Sequence, residues 1–411
     1  MNQLKQSISH LQTAFGIALF ASLPMYFNAV TRWSMLLFIV FSLLDYVVNE
    51  RYRQTTWSWA AKAPFCAGIA LFLLLLLYLP FEANTQHFGL LAESRTALLV
   101  FGTLGLLGTR VPKAKYLAYT AIAVSLVLIG YVLYLSNPFT LFELENWRAY
   151  IIGIRHKYIH CHMAFNTYLN AAIVACFYLI KKQKRKPTKS LYGLLIAFIY
   201  VCVGLSDGRI GFLGSNLIIG LGITYLMHHK YHKAMYAALV VFAVLGTALV
   251  ASHPKVSAES LTDKNIRKHI WITSLNVYQE APLLGVGAST NAANLVNAFI
   301  ASDVISQEIP LIEACLHPDI SGAHPHNQLL QSAMEFGIIG LLLAFVLLFA
   351  PLAYLVNNKS NPLLVALWLA ILLQLQTEVI RASLSELGFC YYLLLTMYYA
   401  QQGSKKVASS V

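Results

Sequence analysis

Apolar runs close to the length a helix needs to cross a bilayer, about 20 residues, recur along almost the whole chain. They fall near 13–30, 33–49, 60–80, 90–108, 116–136, 159–180, 191–206, 210–227, 234–252, 328–356, 363–377 and 387–401. Inside lipid every backbone N–H and C=O must be satisfied within the protein, so runs of this kind are helical. The expected fold is an all-α polytopic membrane protein with about twelve transmembrane helices. The composition agrees, with 58% hydrophobic and 11% charged residues in 411 and a mean hydropathy of +0.62. Soluble domains carry about a quarter charged residues. The run at 13–30 follows only Lys5 and has no clear cleavage site, so it reads as a first membrane helix rather than a cleaved signal peptide.

A net charge of +12 raises nucleic acid as a partner, but the placement of that charge argues otherwise. Alternate connections hold most of the 29 basic residues. These are Lys5; Arg51, Arg53 and Lys62; Arg110, Lys113 and Lys115; Lys181 to Lys189; Lys230 and Lys233; Lys359; and Lys405 and Lys406. Glu50 is the single acid among them. By the positive-inside rule these connections, and both termini, are expected to be cytoplasmic. The intervening connections then face the other side. They include a stretch at 137–158, with Arg148, Arg155 and His156, and a segment of about 75 residues from Ser252 to His326. A connection of that length is long enough to expect a function of its own. The chain thus divides into 1–251 with nine helices, a loop at 252–327, and 328–411 with three helices and a tail.

Three elements on the non-cytoplasmic side carry candidate chemistry. The first is His324-Pro325-His326-Asn327, which leads into an apolar helix running to Gly337-Ile338-Ile339-Gly340. Asn327 is a good N-cap, so His326 stands just outside a helix N-terminus, an end that attracts anions. Ala333 and Gly337 form a small-xxx-small pair, expected to let another helix approach closely. The second element is a helical stretch from Asp263 to Tyr278 in the large loop. Ile266, Ile270, Thr273 and Val277 form one stripe on it, and Arg267, Trp271, Ser274 and Tyr278 form another. It must end near Ala281-Pro282, with Gly285-Val286-Gly287 as a turn. An amphipathic helix lying on the bilayer, with Arg267 near head groups, is the alternative reading. The third element is Ser206-Asp207-Gly208-Arg209 between two spans, where Arg209 is either paired with Asp207 or free to bind phosphate oxygens bidentately. Glu335, an acid inside a span, is expected to pair with a neighbouring helix. His160 and His162 read as structural or substrate-lining.

Six cysteines show no metal or disulfide spacing, and Cys66, Cys176, Cys202 and Cys390 lie in apolar runs. No carboxylate cluster with metal-ligand spacing and no glycine loop for ATP is present, so neither a metal nor a cofactor is expected.

Taken together, His326-Asn327 followed nine residues later by Gly337-x-x-Gly340, Arg267-x-x-x-Trp271 before Pro-Leu-Leu-Gly-Val-Gly, and Ser206-x-x-Arg209 resemble the O-antigen ligase family of bacterial membrane glycosyltransferases. The resemblance implies a GT-C-like fold in the inner membrane and a periplasmic active site. The donor would be a glycan on undecaprenyl pyrophosphate, and the acceptor lipid A–core oligosaccharide. It further implies His326, Arg209 and Arg267 as catalytic residues, with His324, Asn327, Trp271 and Arg155 around the substrate. Asp207-Gly208 departs from the family pattern, in which a small or hydroxyl residue is common. An O-antigen polymerase, a protein O-oligosaccharyltransferase or a transporter is the alternative. One dominant loop favours ligase over polymerase, and intramembrane acids limited to Glu335 and Asp45 weigh against a transporter.

Overall fold

The computed structural model describes residues 2–23, 28–48, 58–81, 85–109, 111–135, 162–206, 209–227, 266–288, 325–358 and 361–375, and a few isolated positions between 290 and 298 and between 390 and 396. For Asn2, Asn28, Phe81, residues 85–91, 93–94 and 162–164, Arg209 and residues 266–269 only the backbone is described. Among the described residues the chain is helical throughout, with no strand. The helices are α1 (Asn2–Ser22), α2 (Asn28–Val48), α3 (Trp59–Leu77), α4 (Thr85–Leu106), α5 (Ala114–Leu135), α6 (His162–Lys182), α7 (Lys186–Leu205), α8 (Arg209–Met227), α9 (Ile266–Glu280), α10 (Gln328–Asn357) and α11 (Pro362–Leu375).

Apart from 13–30, 234–252 and 387–401, each expected span coincides with a helix; 234–252 lies outside the described residues and 387–401 almost entirely so. The first span is misplaced by the hydropathy pattern: the helix is Asn2–Ser22, and the next begins at Asn28. The two tight pairs stay separate as α1 with α2 and α7 with α8. Six of the described helices are long and apolar enough to cross a membrane: α2, α3, α5, α7, α8 and α10. The expected twelve are therefore not reached among the described residues.

Helix α6 is central, packing against α5, α7, α8 and α11. Its partner α8 approaches closely because glycine faces it: a Cβ at Gly222 would stand 2.5 Å from the Phe177 ring. Elsewhere the interior is filled by aromatic and aliphatic side chains, with Trp368 donating its indole N–H to Leu348 O at 2.8 Å to hold α11 on α10.

The chain order makes α6 and α8 run in the same direction, since α7 lies antiparallel between them. Four contacts then gather one set of helix ends at one end of the bundle. Ser206 bonds Asn166 near the starts of α8 and α6. Thr167 donates to Gln374 at the end of α11. Arg95 of α4 pairs with Glu335 in the first half of α10. Tyr78, just past α3, donates its hydroxyl to Leu284 O. The heads of α8 and α10 and the turn after α9 thus lie at the same end of the bundle.

Candidate active site

The head of α10 is built from its cap. Asn327 is extended (φ −155°, ψ 121°), and its side-chain oxygen accepts from Leu329 N and Leu330 N at 3.0 and 3.1 Å. This is the expected N-cap, satisfying two of the free donors at the helix start. The residue before it, His326, lies half-buried at φ +50°. A non-glycine residue in the left-handed region costs of order 1–3 kcal/mol and persists only where the surroundings enforce it. Here Pro325 on one side and the cap on the other fix the backbone, so the imidazole is held at the mouth of the helix rather than on a mobile stretch.

Helix α10 does not run straight from there. Phe336 (φ −132°, ψ 15°) and Gly337 (φ 64°, ψ −151°) break it after its first two turns. In an unbroken helix Ile338 N would donate to Met334 O. Instead the turn that follows α9 takes over both groups: Val286 N donates to Met334 O at 2.8 Å and Ile338 N donates to Pro282 O at 2.8 Å. Gly287 N adds a third bond to Glu335 O at 3.2 Å. The two backbones meet glycine to glycine. A Cβ on Gly285 (φ +78°) would stand 2.5 Å from Glu335 C and Phe336 N. One on Gly337 would stand 2.6 Å from Leu284 N and closer still to the Leu283 carbonyl. The expected small-xxx-small role of Ala333 and Gly337 is therefore corrected: Gly337 admits the loop turn at a break, not the face of a second helix.

Behind the turn, α9 packs its expected apolar stripe inward, with Ile270 and Val277 buried against Met334 of α10. Ser274, placed on the opposite stripe, is also buried and donates to Ile270 O at 2.7 Å, so the inward face is wider than expected. Trp271 is 37% exposed. Helix α9 ends at Glu280, before Pro282, as read from the sequence.

Beneath the break lies a charged pair that sequence reasoning half anticipated. Glu335 is paired, and its partner is Arg95 of α4, which donates through both terminal nitrogens at 2.8 and 2.5 Å. Their side chains are 12% and 3% exposed. Gln331 donates to the same carboxylate at 2.6 Å, and its own oxygen has no hydrogen-bond partner among the described residues. The Arg95 guanidinium also lies 6.0 Å from the Phe336 ring, which Tyr78 meets edge-on at 5.4 Å. Arg95 was missed, although an arginine inside an apolar run is itself a signal.

The head of α8 sits on a buried polar seam with α6. Ser206 donates to Asn166 at 2.7 Å, Asn170 to Gly211 O at 3.1 Å, and Ser215 to Asn170 at 2.6 Å. Neither asparagine was singled out from the sequence. Arg209 is the first residue of α8, directly above this seam. Between the end of α3 and the α9 turn runs an apolar groove of about 420 Å³, lined by Leu74, Leu77, Tyr78, Leu284 and Val286 among others. His324, Arg155, Asp207, Cys161, Cys315 and His160 lie outside the described residues, and of Arg209, Arg267 and His162 only the backbone is placed. Among the described residues no group of three or more His, Cys, Asp and Glu side chains gathers.

Bundled apolar helices and a site built at one end of them define a multi-pass, all-helical membrane protein. Its residues 192–345, which hold α8, the large loop and the head of α10, match the family model described as O-Antigen ligase. Through that segment, under half of its length, the chain is similar to the O-antigen ligase family. It is 26% identical over 200 residues to a protein of Rickettsia conorii named "Putative polysaccharide ligase", over 46% of this chain and 44% of that one. A Rickettsia felis protein of the same name is 27% identical over 197 residues, covering 46% and 44%. An uncharacterized protein of Haemophilus influenzae is 22% identical over 207 residues, covering 46% and 48%. The chain thus spans under half the length of the curated relatives it matches.

Proposed function

We propose that this protein is a polysaccharide ligase of the inner membrane, transferring a glycan from undecaprenyl pyrophosphate to lipid A–core oligosaccharide on the periplasmic face. The observation that carries the proposal is the interlock of the α9 turn with the α10 break. It makes the helix bearing Arg267 and Trp271 one unit with the helix entered through His326, at the end of the bundle where α8 begins with Arg209. In this reading His326 takes the proton from the acceptor hydroxyl, whose oxygen then attacks the anomeric carbon. The bond from that carbon to the pyrophosphate oxygen breaks with inversion. Arg209 and Arg267 hold the departing pyrophosphate and offset the charge that develops on it. His324, Asn327, Trp271 and Arg155 border the sugars, and the groove beside Leu284 receives the first isoprene units of the donor. The donor is already activated, so the step uses neither ATP nor a metal.

A radiolabelled lipid-linked glycan supplied to the purified protein with lipid A–core tests this. Label appearing on lipid A–core supports the ligase. Self-extension of the donor would make the protein a polymerase, and no transfer with bound donor would point to transport.

A further inference from the structure

We infer that this protein binds the head group of an anionic phospholipid in a second site, at the end of the bundle opposite the one described above. The site is a cavity of about 560 Å³ between α1 and the segment that opens α5, within the ordinary range for ligand sites. Helix α4 separates the two ends: its 22 residues rise about 1.5 Å each, roughly the thickness of a bilayer core. The turn after α9 touches the end of α3, next to the start of α4, whereas the cavity lies just beyond the end of α4.

The lining suits a phosphodiester. Lys113 and His10 stand exposed at its rim, Ser9 and Tyr116 add hydroxyl donors, and no Asp or Glu is among the lining residues. Lys5 precedes Ser9 by one helical turn on the same face of α1, extending the basic rim. Gln12 closes the back, buried and donating to Ser42 of α2 at 3.3 Å. The floor is apolar, made by Ile17 and Val111. A soluble anion has no use for such a floor, while a lipid places its glycerol and first methylenes there. Leu4 and Leu11 are exposed on the face of α1 turned away from the cavity, a face suited to contact with lipid rather than open water. Basic pockets between helices at the membrane surface are the usual sites for phospholipid head groups.

The test uses the full-length protein in zwitterionic micelles doped with phosphatidylglycerol, with retained lipids counted by native mass spectrometry. Phosphatidylglycerol should be retained in preference to phosphatidylcholine. Replacing Lys113 and His10 together by alanine should weaken retention by about fivefold or more, fivefold being the factor that ~1 kcal/mol for Lys113 alone near an anionic surface implies. Both side chains are exposed, so thermal unfolding of the double variant should match the parent. A photoactivatable phosphatidylglycerol should cross-link to the peptide containing Ser9 to Ile17. Equal retention of the two lipids, unchanged retention in the variant, or cross-linking elsewhere would overturn the inference. So would protection from cross-linking by millimolar inorganic phosphate, which would make this a site for a soluble anion.

Discussion

Replacing Gly337 by alanine tests the interlock on which the proposed site rests. Gly337 has φ 64° and ψ −151°, a region that only glycine enters readily, so the strain in an alanine there is about 1–3 kcal/mol. The new methyl would also stand 2.6 Å from Leu284 N, with the Leu283 carbonyl nearer still. These are backbone atoms, so no side chain can rotate to make room. The turn must move away, and with it go the bonds Val286 N to Met334 O, Gly287 N to Glu335 O and Ile338 N to Pro282 O. At about 0.5–1.5 kcal/mol each, the combined local cost is about 3–7 kcal/mol, enough to leave the turn mostly undocked. The loss is local, because the packing among α5, α6, α7, α8 and α11 does not involve it. Hydrogen exchange should therefore speed up at Val286, Gly287 and Ile338 while the α6 amides stay protected, and transfer activity should fall at least 100-fold. Gly193→Ala is the control, since a Cβ there meets nothing within 4 Å and should leave both readouts unchanged. A Gly337→Ala protein with slow exchange at those three amides and full activity would refute the interlock.

Three further outcomes follow from the same geometry. Arg95→Ala should destabilise the protein by about 3–5 kcal/mol in denaturant titration, because it removes the cation that pairs with the buried Glu335 carboxylate; Arg95→Met with Glu335→Leu should recover part of that loss. Asn327→Ala should cost about 1 kcal/mol of stability by removing the cap, with Asn327→Asp close to the parent; its activity should fall more than that stability loss explains, because the cap also fixes the His326 backbone. Transfer should survive EDTA, and a loss reversed by magnesium or manganese would contradict the metal-free mechanism.

Local features of the site were legible in the sequence. The cap at Asn327, the stop of α9 before Pro282 and the turn at Gly285 and Gly287 depend on neighbours within a few residues, and propensity reads such features well. The break at Gly337 was not legible in this way. A glycine in an apolar run looks the same whether it admits a helix or adopts a positive φ, and only the turn some 50 residues upstream decides which. The Arg95 to Glu335 pair spans 240 positions, beyond any local pattern. Hydropathy likewise misplaced α1, because it scores apolar content and passes over the polar first turns of Asn2–Ser22. The polar seam of Asn166 and Asn170 was hidden by the apolar run around it.

The division of labour between His326 and the arginines is decided by measuring donor affinity and single-turnover rate in the same folded variants. His326→Ala should slow the chemical step about 10²–10⁴-fold with donor affinity nearly unchanged, since a base acts only in the transition state. Arg267→Ala should lose both affinity and rate, because the pyrophosphate is charged before and during the reaction, and Arg267→Lys should recover only part of each. A His326→Ala protein that binds donor and turns over at the parent rate would contradict the account, and the base would have to be sought elsewhere, with His324 the next candidate.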